Sequence, residues 1–161
     1  MLALNCGIDA ARTVSGPPDE MATRLGVRVE DVEADGGFGN VMVFADYRPR
    51  PPSVRLYAPA LRVLDAELPA YPEPLPGSRA VFLAHELFHH LETLDPRCVP
   101  SRRHRSKALS EIAAGAFAQE LLGLRYHPKL LDVAALFSRD PATAERLADD
   151  ICEMGRERHD G

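Results

Sequence analysis

Between Ser78 and Leu94 the chain is apolar on nearly every helical bearing, through Val81, Phe82, Leu83, Ala84, Leu87, Phe88, Leu91 and Leu94. A helix that is apolar all round belongs in a protein interior. Ser78 is placed to N-cap this helix and Pro96 to follow its end. The same segment carries His85-Glu86-Leu87-Phe88-His89, an HExxH pattern. Side chains four apart on a helix differ by about 40° in bearing, so both imidazoles face one side. They can share one Zn²⁺, while Glu86, about 100° from His85, lies beside the ion and can take a proton from bound water. Buried imidazoles and carboxylates need partners. A metal is one solution, and a hydrogen-bonded pair of core histidines is the other.

A catalytic zinc needs a third protein ligand and one open position. Glu111 is the leading candidate, in the next strongly helical run, Ser110 to Ala118. Gly115, Ala118 and Leu122 share its face, and small residues there let two helices approach closely. The plain alternative is a solvated carboxylate near a helix start. Glu92, one turn after His89, can ligate, or can orient His89 through the free ring N–H. Glu120 falls on the wrong side of its helix, and Asp95 lies nearer the following loop. His104, Tyr126 and His127 are candidate donors to a developing oxyanion, although Tyr126 and His127 read more readily as loop residues than as catalysts. His90 faces the apolar flank and is expected to make one core hydrogen bond.

The rest of the chain frames this segment. Its 161 residues, 45% hydrophobic and 27% charged, suit one domain spanning 1–161 and exclude a disordered chain. A net charge of −5 makes nucleic acid an improbable partner. Cys6, Cys98 and Cys152 form no CxxC pair, which argues against a zinc ribbon and for free thiols in a reducing compartment. Neither a signal peptide nor a run long enough to span a membrane is evident, so a cytoplasmic location is expected.

Along the chain, a β- and turn-rich first half precedes a helical second half. Asp9 to Leu25 reads as a helix interrupted around Gly16-Pro17-Pro18, its better part being Asp19 to Leu25. Val27 to Val32, Val41 to Ala45 and Ser53 to Tyr57 read as three short strands. The run Arg48-Pro49-Arg50-Pro51-Pro52 is expected to stop any ladder, because proline has no N–H. Helices are predicted over Ala60 to Leu68, Lys107 to Leu124, Pro128 to Ser138 and Pro141 to Met154, the last capped by Asp140. Tyr71 to Gly77 is a proline-stiffened connector. A second connector, 95–108, carries Arg97, Arg102, Arg103, His104, Arg105 and Lys107, and reads as a lid or as a solvated loop.

The HExxH segment, with Glu111-Ile112-Ala113-Ala114-Gly115-Ala116-Phe117-Ala118-Gln119-Glu120-Leu121-Leu122 after it, resembles the ImmA/IrrE group of zinc metallopeptidase-like proteins. That group shows HELGH followed by E-x-x-A-N-x-F-A-x-x-L-L. The resemblance spans roughly residues 19 to 123, with specific motifs in the two helices. It implies an α+β, zincin-like fold: a small sheet of about three strands on a helical bundle. It also implies zinc held by His85, His89 and Glu111, with Glu86 as the catalytic carboxylate. The implied reaction is hydrolysis of a peptide bond in a specific protein partner. Three departures stand out: Phe88 replaces the usual glycine, Gly115 the usual asparagine, and Gly123-Leu124 the usual Met-Pro. Phe88 crowding the metal would suit the alternative, a weak or inactive zinc-binding module that docks a partner. An extended substrate could add to the Ser53 to Tyr57 strand by β-augmentation, unless the flanking prolines only protect an edge.

Overall fold

The computed structural model describes residues 2–34, 36–38, 41–67, 77–95, 107–137, 140–147 and 149. Its elements are α1 (Leu2–Arg12), α2 (Pro18–Arg24), β1 (Arg28–Val32), β2 (Gly37–Phe38), β3 (Val41–Met42), β4 (Ala45–Pro49), β5 (Pro52–Tyr57), α3 (Ala58–Glu67), α4 (Ser78–Leu94), α5 (Lys107–Leu122) and α6 (Leu130–Phe137). Residues 141–147 are also helical, and Asp140 accepts the Thr143 N–H at 3.1 Å as the expected cap. The class is mixed α+β, as expected.

The three-stranded sheet has the order β1-β5-β4, with β1 parallel and β4 antiparallel to β5. Val54 and Leu56 of β5 are fully buried toward the helices, while Arg55 and Tyr57 alternate to the other face. The central place of β5 overturns the β-augmentation reading of Ser53 to Tyr57. Both of its edges are already paired, and a partner strand needs an open one.

Two further strand expectations are corrected. Val41 to Ala45 is not one strand: Val41-Met42 closes a two-stranded ribbon with β2, and the main sheet resumes at Ala45. Between them Val43 donates its N–H to Gly36 O, and Phe44 O accepts from Tyr57 N, each at 2.9 Å. The proline run does not stop the ladder but turns it. Pro49 faces Pro52 as the terminal pair of the β4–β5 hairpin, where a missing N–H is tolerated.

α4 runs through the centre of the molecule, against β4, β5, α2, α3 and α5. Val81, Leu83, Leu87 and Phe88 are fully buried on it, with Met21, Leu64 and Phe117 contributed by neighbouring helices. Ser78 is not its N-cap but its first helical residue, and Asp65 of α3 accepts the Ser78 N–H at 3.0 Å. Arg79 ties the start of α4 to α2 and β1 through Asp19 at 2.9 Å and Asp31 at 3.0 Å.

α1 begins at Leu2, well before the Asp9 start expected from sequence. Its buried face is Ala3, Gly7, Ala10 and Ala11, and this face packs on α5. A Cβ at Gly7 would lie 2.1 Å from Ala113 O and 2.9 Å from Phe117 N, so the two backbones meet where Gly7 has no side chain. The 95–108 connector beyond Asp95 and before Lys107, the Tyr71 to Pro76 stretch, Cys98 and Cys152 lie outside the described residues. Among the described residues, no helix is long and apolar enough to cross a membrane.

Candidate metal centre

Two adjacent helices build the centre. α4 supplies His85, Glu86 and His89, and α5, held against it on one side and against α1 on another, supplies Glu111. One ligand atom from each of His85, His89 and Glu111 falls within a group whose members all lie within 4.8 Å of one another. Glu111 Oε2 is 3.1 Å from His85 Nε2, and Oε1 is 3.8 Å from His89 Nε2. Two imidazole nitrogens and a carboxylate oxygen form a donor set that could hold a metal ion.

The tautomer of His89 is set from behind. Glu92 Oε2 lies 3.1 Å from His89 Nδ1 and accepts its N–H, leaving Nε2 free to face Glu111. Ser110 Oγ donates to the same Glu92 oxygen at 2.5 Å and stands 3.2 Å from His89 Nδ1. Glu92 is therefore engaged behind the ring and is not a member of the ligand group. Ser110 is a residue that sequence reasoning missed. It immediately precedes Glu111, but its role depends on helix–helix docking, which no local pattern reports.

The charges follow the geometry. Its hydrogen bond from His85 pulls the Glu111 carboxyl down to about 2, against an opposing effect of burial. Glu86 is only 9% exposed, and burial pushes its carboxyl up although His85 and His89 oppose this. For His89 burial disfavours the cation, but the Glu92 hydrogen bond and the charges of Glu86, Glu111 and Glu92 outweigh it and raise the ring's pKa.

His85, Glu86 and Glu111 line a cleft of about 200 Å³. One wall is apolar, built from Met42, Val43, Phe44 and Ala45 with Val81 and Phe82, and Phe44 stacks on Phe82 at 4.5 Å. The other wall holds Gly115, His127, Pro128, Lys129 and Asp132. The His127 ring occupies the space that a side chain at position 115 would fill. Burial, with His85 nearby, holds its imidazole below the ordinary value.

The remaining candidates fall away from the cleft. Tyr126 packs against the hydrophobic core and does not line the cleft. His104 lies outside the described residues. Glu120 accepts from Arg12 at 3.1 Å on the surface, and Asp95 caps the end of α4. His90 is buried with its Nδ1 2.8 Å from the Tyr47 hydroxyl, the core hydrogen bond expected of it. The expectation for Phe88 is corrected. It is fully buried, its ring 5.6 Å from that of Phe117 and 6.2 Å edge-on from that of His89, and it does not line the cleft. Compared with protein-family models, curated proteins and solved structures, the chain matches none.

Proposed function

We propose that the chain is a zinc-dependent metallopeptidase of the zincin kind, similar to the ImmA/IrrE group, acting on a peptide bond in a protein partner. The observation that carries this is one cluster: His85, His89 and Glu111 converge within 4.8 Å while Glu86 sits buried beside them in an open cleft. A core histidine pair would need neither a third ligand from another helix nor a cleft. Glu111 provides the first and the 200 Å³ groove the second.

His85 and His89 would hold the ion through their Nε2 atoms and Glu111 through its carboxylate. Glu92 and Ser110 fix the His89 ring so that its Nε2 lone pair is presented. A bound zinc ion supplies a Lewis acid for the peptide carbonyl and lowers the pKa of a water. Glu86 receives that water's proton on its carboxylate and returns it to the departing amine nitrogen. The apolar wall of Met42, Phe44 and Phe82 accommodates an apolar side chain next to the scissile bond.

The docking-module alternative drew on Phe88, and a Phe88 side chain within the core lends it no support. Glu86→Gln tests the proposal. The variant should keep its metal and fold but generate no new protein N-termini in cells where the wild type does. Identical N-terminal profiles for the two, with cleavage intact, would contradict it.

A further inference from the structure

We infer that His127 donates a hydrogen bond from Nε2–H to the carbonyl oxygen of the bound peptide, and that Gly115 exists to seat it. This rests on the metallopeptidase reading and names a residue of the same site.

The seat is specific. Gly115 follows Glu111 by one turn of α5, on the same face. Its neighbours Ala113, Ala114, Ala116 and Ala118 are all buried alanines, so smallness alone would be met by another alanine. Glycine within a helix costs about 1 kcal/mol relative to alanine. A Cβ at 115 would lie 2.6 Å from both Cε1 and Nε2 of His127, so only glycine leaves room for the ring.

The ring is also committed to one tautomer. The Lys129 backbone N–H donates to His127 Nδ1 at 3.2 Å, which places the proton of the neutral imidazole on Nε2. Among the described residues, Nε2 has no hydrogen-bond partner. It shares the cleft with His85, Glu86 and Glu111 yet stays outside the group of ligand atoms. A donor beside a metal site, rather than in it, is placed to reach an oxygen of whatever the metal binds. The nearby Lys129 ammonium is paired with Asp132 at 2.5 Å, and Tyr126 packs in the core, so neither competes for this role.

The test uses the cobalt-substituted full-length protein, titrated with acetohydroxamate and followed by visible absorption. His127→Ala should bind cobalt at the wild-type stoichiometry and acetohydroxamate about tenfold more weakly, the loss expected for one hydrogen bond to a charged ligand. Gly115→Ala should weaken it in the same direction by displacing the ring. His127→Gln, which keeps an N–H donor, should recover part of the loss. Undiminished acetohydroxamate binding by His127→Ala, or loss of cobalt from it, would overturn the inference. Nitrogen NMR of the metal-free protein reads the tautomer independently. Nε2–H is expected, and Nδ1–H would overturn the inference. Failure of the wild type to take up cobalt would instead contradict the metallopeptidase reading, with the tautomer still deciding the ring's orientation.

Discussion

Glu92 stands one turn beyond His89 on α4, and its Oε2 lies 3.1 Å from His89 Nδ1. That contact turns the other ring nitrogen toward Glu111, whose Oε1 lies 3.8 Å away. Glu92 and Glu111 thus address opposite edges of one imidazole. One orients it, and the other joins it in the ligand group.

This division predicts an order of metal loss. Glu111→Ala removes a proposed ligand and should abolish stoichiometric zinc retention during dialysis. Glu92→Ala should weaken zinc by about 10- to 100-fold, the usual effect of losing a group that orients a ligand. Competition with a chromophoric chelator measures both. Weaker binding in Glu92→Ala than in Glu111→Ala would reverse the assignment.

Phe88 is a core residue against Phe117, not a plug over the metal. Phe88→Ala should therefore destabilise the fold by about 3–5 kcal/mol, through lost burial and a cavity between α4 and α5. Urea unfolding checks this. A change below about 1 kcal/mol, outside the range for a buried Phe, would contradict the placement.

Gly7 lets α1 touch α5. In Gly7→Ala the new methyl would meet the Ala113 carbonyl at 2.1 Å, and backbone cannot yield as a side chain tip can. The helices must separate, with a loss of about 1–3 kcal/mol. Because α5 carries Glu111, zinc affinity should fall in the same variant. Equal stability and equal zinc affinity to wild type would show that α1 does not brace the site.

Asp46 links β4 to β5, accepting from Arg55 at 2.6 Å and from Tyr57 at 2.6 Å. Burial pushes its carboxyl up, but the hydrogen bonds from Arg55 and Tyr57 prevail and leave it below the ordinary 3.8. A depressed carboxyl contributes stability above its unfolded value, and that stability is lost as pH falls through the folded one. Asp46→Asn should be less stable than wild type at neutral pH, with the gap narrowing below about pH 4. Chemical denaturation across pH checks it. A constant gap down to the lowest pH would contradict the assignment.

What could be read ahead of the structure was local in the chain. HExxH on an apolar helix and Glu111 on a small-residue helix are patterns of spacing, and α4 and α5 bring those three side chains together. Asp140 capping its helix is equally local. The parts that were not legible depend on contacts between distant segments. Ser110 reaches Glu92 across two helices, Gly7 matters only because α5 lies against it, and Gly115 acquires meaning from His127. Helical periodicity could not place Phe88, since a helix apolar all round gives no bearing for its cleft. Prolines in a sequence signal barriers because they lack N–H groups, yet the end of a hairpin is where that lack does least harm.

His85, His89 and Glu111 are proposed to hold a metal ion. Elemental analysis of the protein purified without added metal tests this assignment most directly, paired with thermal melting before and after chelation. About one zinc per chain and a lower melting temperature once zinc is stripped are expected. A metal content near zero, with melting unchanged by chelator, would contradict the assignment.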